Sequence, residues 1–161
     1  MFSSKTPVKD EEKKFSNAVK AEHLYNDNSF PRELLFEYLK KANEETPNDI
    51  EILWRLSRAA YDCAEKIGIS NEKKKELIYF AFDVIQKALS VDEHNFAVHK
   101  WYGIILSSIG DFEGTKSKIG KSYKVKNHWE RAIQLNPNDA TSHHLLGRCK
   151  HLKIIAFFLN A

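Results

Sequence analysis

The sequence predicts an all-α, tetratricopeptide-like helical repeat: an α-α superhelix of three helix pairs plus a terminal helix. Three observations carry this expectation. In Ala42–Pro47, Ala88–Glu93 and Ala132–Pro137, an alanine near the end of a helical run precedes a chain break five residues on; the alanines stand 46 and then 44 residues apart. Fifteen residues beyond each alanine comes a small residue inside the next apolar run: Ser57, Gly103 and Gly147. Finally, 6 glycines, 4 prolines and few alternating β-branched stretches favour helix over sheet. Helical hairpins of this kind cannot bury their faces alone, so they stack, and a stack offers a surface rather than a catalytic cleft.

The elements follow in order. Residues 1–14 are polar and charged and read as a tail or a frayed helix start; the repeat domain is assigned to 15–161. Phe15, Ala18, Val19, Ala21 and Leu24 fit a helix ending near Tyr25, and Asn26–Ser29 is a turn. Pro31 suits the first turn of a helix with Leu34, Leu35, Tyr38, Leu39 and Ala42 inward, ended by Pro47. Asn48 with Glu51 resembles a capping box and opens an apolar stripe from Ile52 to Cys63 that closes at Gly68. Ser70 or Asn71 caps a long helix to Val91, with Leu77, Phe80, Ala81, Val84, Ile85 and Ala88 inward. The third pair spans about Asn95–Ile109, stopped by Gly110, and Gly114–Leu135; Asn138-Asp139 caps a seventh helix. The repeat is longer than the 34 residues of a standard tetratricopeptide unit. The extra length falls near Gly68–Lys75 and Gly110–Lys126, between the helices of a pair.

The packing roles follow from size. Ala42, Ala88, Ala132, Ser57, Gly103 and Gly147 let antiparallel helices approach, and Trp54, Trp101 and Trp129 are the large partners that fill the contacts. Only Cys63 and Cys149 are present, so no disulfide framework is expected and a reducing compartment fits. The first ten residues lack an apolar segment of signal-peptide type, and the longest apolar run, Ile154–Leu159, is far short of the ~20 residues that span a bilayer. These features predict a cytosolic protein with no membrane span.

His99-Lys100-Trp101-Tyr102-Gly103, Gly110-Asp111-Phe112-Glu113-Gly114 and His128-Trp129-Glu130-Arg131-Ala132-Ile133-Gln134-Leu135-Asn136-Pro137 resemble the regulator of microtubule dynamics family. Trp54-Arg55-Leu56-Ser57-Arg58-Ala59 and Ala21-Glu22-His23-Leu24-Tyr25 are similar to its earlier segments, and the match runs over about residues 16–148. The resemblance implies an elongated tetratricopeptide-like fold, no catalytic centre, and association with microtubules and the mitotic spindle. Some relatives are anchored at mitochondria and act at organelle contacts in lipid handling. This chain departs from the pattern by lacking their N-terminal hydrophobic anchor. It also stops early, so that Lys150–Leu159 replaces further helices and the domain reads as truncated.

Charge supplies the candidate site. Residues 1–80 carry 14 basic and 15 acidic groups, residues 81–161 carry 11 and 7. The excess concentrates in Lys116, Lys118, Lys121, Lys124 and Lys126, with no acidic residue between Glu113 and Glu130. Such a +5 stretch would attract glutamate-rich tubulin tails over about a Debye length, ~8 Å at physiological salt. Tyr123 and Ile119 interrupt it and are expected to face the core. A second candidate reads the chain as an adaptor that holds a peptide partner in its concave groove through Arg55, Arg58, His99 and Lys100, with microtubule association indirect and spindle or adaptor proteins as the partners. Lipid carriage is a third reading and needs an apolar tunnel.

Other chemistries find little support. Nucleic acid is not expected, because the mildly positive charge comes with no clearly exposed stacking aromatic. Gly114–Ser122 imitates a phosphate loop but has five residues between its glycines instead of four, and no strand precedes it. His143, His144, Cys149 and His151 match no zinc spacing, so no metal and no cofactor is assigned. His99 and His128 flank tryptophans and are expected to be packed or hydrogen-bonded. No nucleophile, base and orienting group assemble by spacing, so the chain is read as a non-enzyme acting in the cytoplasm, at the cytoskeleton and the spindle and its poles.

Overall fold

The structure, a computed structural model, describes residues 7–148, with side chains from residue 16 onward. Six helices follow one another: α1 (Pro7–Asn26), α2 (Arg32–Glu45), α3 (Ile50–Ala64), α4 (Asn71–Val91), α5 (Phe96–Glu113) and α6 (Thr115–Leu135). A seventh helical run occupies 140–148, and no strand occurs among the described residues. The architecture is the expected all-helical, tetratricopeptide-like repeat of three helix pairs and a terminal helix. It divides into two compact units, one ending at Val91 and one beginning at Asp92.

The repeat is written into the helix ends. The Ala42 carbonyl accepts the Thr46 N–H and hydroxyl at 2.9 and 3.0 Å, and the Ala132 carbonyl accepts the Asn136 N–H at 2.9 Å. The following Pro47 and Pro137 have no N–H with which to extend either helix. The next helix then begins with a short acceptor side chain. Asp49 takes the Glu51 N–H at 3.0 Å, Asn95 takes those of Ala97 and Val98, and Asp139 takes that of Ser142 at 2.9 Å. Each satisfies donors that the first turn leaves unpaired, worth about 1 kcal/mol apiece.

Asp49, not Asn48, is therefore the cap of α3. Asn48 takes the left-handed turn before it, at φ 71°, a conformation asparagine tolerates better than most residues. α1 starts at Pro7, earlier than the Phe15 start that apolar spacing predicts, and α3 ends at Ala64, before Gly68. The stop of α5 is also corrected. The helix runs through Gly110 to Glu113, and Gly114, at φ 88°, makes the turn. Gly110 instead admits the backbone of α6: a Cβ there would lie 3.0 Å from the Cα of Lys118.

In the first unit, Ala18 and Ala21 of α1, Leu35, Leu39 and Ala42 of α2, and Ile52, Leu56 and Ala59 of α3 form one buried cluster. Phe36 and Phe80 meet edge to face, with ring centroids 5.5 Å apart. Ile78, Ala81, Ile85 and Ala88 line the inward side of α4. The Ser57 hydroxyl, fully buried, donates to the Ala81 carbonyl at 2.7 Å, so the small residue is also a polar tether between α3 and α4. Val19 and Leu34, expected inward, are exposed.

In the second unit, Val98, Tyr102, Ile105 and Ile109 of α5 pack on Val125, Trp129 and Ala132 of α6. Gly103 makes this contact possible. A Cβ on Gly103 would come within 2.6 Å of Cδ1 and 2.9 Å of Cε2 of the Trp129 indole, whose Nε1–H donates to the Lys100 carbonyl at 3.3 Å. Gly147 has no such role among the described residues, where nothing lies within 4 Å of a Cβ placed on it. Trp54 and Trp129 are buried; Trp101 is half-buried.

Candidate functional site

The five lysines of the candidate basic segment all stand on α6, and the hairpin geometry treats them unequally. The tight turn at Gly114 folds the N-terminal half of α6 back along the last turns of α5. This brings Lys118 to Asp111 and Lys121 to Glu113, whose carboxylate also accepts from Ser117. Lys126 pairs with Glu130 one turn on, at 3.0 Å. The expectation of an unopposed +5 segment is thus corrected: three of its five charges are balanced within the hairpin. Among the described residues no carboxylate pairs with Lys116 or Lys124. Lys116 is exposed, and the Lys124 ammonium lies 5.0 Å from the Tyr102 ring centroid.

Ile119 and Tyr123, expected to face the core, are 49% and 66% exposed. They stand one turn apart on the outer side of α6, because the buried stripe of this helix is set by Val125, His128, Trp129 and Ala132. Gly120 sits between the two lysines and beside this pair, with nothing within 4 Å of a Cβ placed on it. Gly114–Ser122, the run resembling a phosphate loop, is the start of α6 itself.

The groove candidates are engaged inside their own units. Arg58 is buried, reaches the Glu22 carboxylate at 3.2 Å and sits over Tyr25, 3.4 Å from the ring centroid. Arg55 also bonds Glu22, at 3.0 Å, and stacks on Trp54 at 4.1 Å. Burial pushes the Glu22 carboxyl up, but Arg58 and Arg55 outweigh it and hold it below the usual carboxylate range. Lys100 bonds Asp139 at 2.9 Å, with both side chains largely covered. His99 is buried, with Nδ1 2.9 Å from His128 Nδ1 and Nε2 2.8 Å from the Glu93 carbonyl. Arg55, Arg58, His99 and Lys100, the residues expected to hold a peptide, are thus each bonded within their own unit.

Two features of this network were not legible as sites. His128 stacks on Tyr102, centroids 4.0 Å apart, and burial, with His99 and Lys124 adding, pulls its pKa down to about 4. Burial lowers that of His99 as well, so the pair is neutral at pH 7. Burial also lifts Asp62 to about 6 against the pull of Arg58 and Arg32, and its Oδ2 is a buried oxygen without a hydrogen-bond partner. The Cys63 thiol, pushed up to about 11 chiefly by burial, is protonated and unreactive at neutral pH.

A cleft of about 490 Å³ opens between α1 and α3, lined by Ala18, Val19, Glu22, Glu51 and Arg55 among others. No group of three or more His, Cys, Asp or Glu among the described residues could hold a metal ion. His143 Nε2 approaches the Pro137 carbonyl at 2.9 Å, while Cys149 and His151 lie outside the described residues. No helix among the described residues is long and apolar enough to cross a membrane.

Hairpins with capped repeats and small-residue contacts define a tetratricopeptide-like helical repeat. The solved structure of a MamA point mutant supports that fold, with a TM-score of 0.51 at 12% identity over 91% of this chain and 88% of that one. The family model for regulator of microtubule dynamics protein 1–3 matches residues 18–151, and the chain belongs to that family, which is not a known family of enzymes. It is 49% identical over 115 residues to regulator of microtubule dynamics protein 1 of Pongo abelii, covering 71% of this chain and 36% of that protein. The Bos taurus protein of the same name is 46% identical over 127 residues, covering 79% and 39%. Regulator of microtubule dynamics protein 2 of Mus musculus is 33% identical over 132 residues, covering 80% and 31%. The chain thus spans well under half the length of these curated relatives.

Proposed function

We propose that this chain is a non-enzymatic scaffold in the regulation of microtubule dynamics, associated with the cytoskeleton in the cytoplasm and, through spindle microtubules, with chromosome segregation. Family membership carries this reading; the two lysines of α6 left without a carboxylate supply a means of contact. The acidic tails of tubulin reach Lys116 and Lys124 first. Lys118, Lys121 and Lys126 join only by exchanging an internal carboxylate for an external one, so they add little. Contacts of this kind are screened by salt.

Co-sedimentation with purified microtubules across a salt series tests it. Replacing Lys116 and Lys124 with alanine should lower pelleting more than replacing the other three, and removing the tubulin tails should have the same effect as the double variant. Equal pelleting of both variants and the parent on tail-intact microtubules refutes the mechanism.

A second reading is favoured by the cleft between α1 and α3: an adaptor that holds a peptide segment of a spindle partner against Val19, Glu22 and Glu51. Association with microtubules is then indirect. It disappears with purified tubulin and returns when a cell extract is added.

A further inference from the structure

The lysines, the glycine and the apolar pair of α6 form two adjacent rows. One row is Lys116, Gly120, Lys124 at successive i, i+4 steps; the other is Ile119, Tyr123, Asn127. Gly120 leaves a notch in the first row, open to solvent, with the exposed Ile119 and Tyr123 along one side and a lysine at each end. Eight residues at ~1.5 Å separate the two lysines by about 12 Å along the axis. In an extended segment rising ~3.3 Å per residue, carboxylates four positions apart span about 13 Å, and the side chain midway between them faces the same way.

We propose that this notch is a docking site for a short extended acidic segment of the pattern Glu-x-Φ-x-Glu. The central apolar residue Φ seats over Gly120 against Ile119 and Tyr123, while the flanking carboxylates meet Lys116 and Lys124. This rests on the reading of α6 as the partner-facing helix and sharpens it, because a plain polyglutamate tail would use the lysines and leave the apolar row idle. Charge complementarity decides the occupant. Among the described residues neither Lys116 nor Lys124 has a carboxylate partner, Lys124 meeting only the face of the Tyr102 ring at 5.0 Å, whereas Lys118 and Lys121 are already paired with Asp111 and Glu113. A tail with glutamates only would gain a factor of roughly 2–5 per exposed ion pair. Covering the apolar row adds to that.

The test is a titration of the ¹⁵N-labelled full chain, followed by amide shifts of α6, with three peptides of equal charge and length. One carries Glu-Ser-Phe-Ser-Glu, one the same residues with the glutamates adjacent, and one serine in place of phenylalanine. The first should bind at least about 5-fold tighter than the others and weaken as salt rises. Gly120→Glu places a carboxylate one turn from each lysine. It should raise the melting temperature by replacing an exposed helical glycine, yet abolish peptide binding. A merely structural role for Gly120 cannot produce that opposite pair of effects. Ile119→Ser with Tyr123→Ser should erase the preference for phenylalanine and leave the charge-dependent part.

Equal affinity for the three peptides, shifts confined to residues off α6, or a Gly120→Glu chain that binds as before would overturn the proposal. So would displacement of the peptide by anionic vesicles or duplex DNA at equal charge concentration. Loss of microtubule pelleting with peptide preference intact refutes only the microtubule reading. Pelleting without peptide preference refutes only this one.

Discussion

Gly103→Ala adds a single methyl group to a buried helix position. In an isolated helix that change stabilises by about 1 kcal/mol, because alanine loses less backbone freedom than glycine. Here the added carbon lands within 3 Å of Trp129 ring atoms that are themselves almost buried. A planar indole cannot fold away as a lysine tip can, so α5 and α6 separate or the ring rotates. Rotation weakens the Nε1–H bond to the Lys100 carbonyl, worth about 1 kcal/mol. Overpacking of this kind costs about 1–3 kcal/mol. Taken with the propensity gain, the net loss is about 2 kcal/mol. Urea unfolding followed by circular dichroism measures it directly. The decisive arm is a Trp129→Leu background, where the obstacle is gone and Gly103→Ala should become neutral or stabilising, a coupling of at least about 2 kcal/mol in a double-mutant cycle. Stabilisation by Gly103→Ala with Trp129 intact would refute the argument that this glycine exists for the indole.

Three further outcomes follow from the buried charges. The unfolded chain protonates His128 near pH 6.5 but the folded hairpin only near pH 4. The contribution is thus complete above 6.5 and is lost as pH falls toward 4, by up to about 3 kcal/mol. A His128→Gln chain should lose less urea resistance between pH 7 and 4.5 than the parent; equal losses would dismiss the histidine pair as the cause. Asp62 has the opposite sense: its folded pKa, about 6, lies above the unfolded 3.8, so stability falls as pH rises through that window. Asp62→Asn should therefore stabilise by about 1–3 kcal/mol at pH 7 and by little at pH 4, and an unchanged midpoint at pH 7 contradicts this. Glu22→Gln leaves Arg58 buried without its carboxylate and should cost about 1–2 kcal/mol, discounted because Glu22 is partly exposed. Hydrogen exchange should speed up in α1 before α4; uniform acceleration would argue against a local clamp.

The helices and their ends were legible because the signals are local. Apolar period, proline after the break and a short polar cap all lie within one turn of the structure they specify. Even the misassigned cap was recoverable: Asp49, Asn95 and Asp139 repeat the 46- and 44-residue spacing of the alanines. The charge pattern was not, because a count along the chain sees Lys116 to Lys126 without opposition while the turn at Gly114 folds Asp111 and Glu113 back against it. Glu22 and Arg58 are 36 residues apart and meet only after α1 docks on α3. The inward assignment of Ile119 and Tyr123 failed for a related reason. Hydrophobicity alone cannot say which of two apolar sides of a helix is covered, and Val125, Trp129 and Ala132 claim the other one.

Equivalent positions in the repeat are small for unlike reasons. At 57 a hydroxyl reaches across to a carbonyl of the neighbouring helix, whereas at 103 a missing side chain admits a flat ring. An averaged repeat written from these units would therefore fail in either direction. Glycine at 57 would remove the hydroxyl that ties α3 to the Ala81 carbonyl of α4, and serine at 103 would collide with the indole. The three hairpins share a blueprint but not interchangeable joints, and shuffling them calls for exchanging both sides of each joint together.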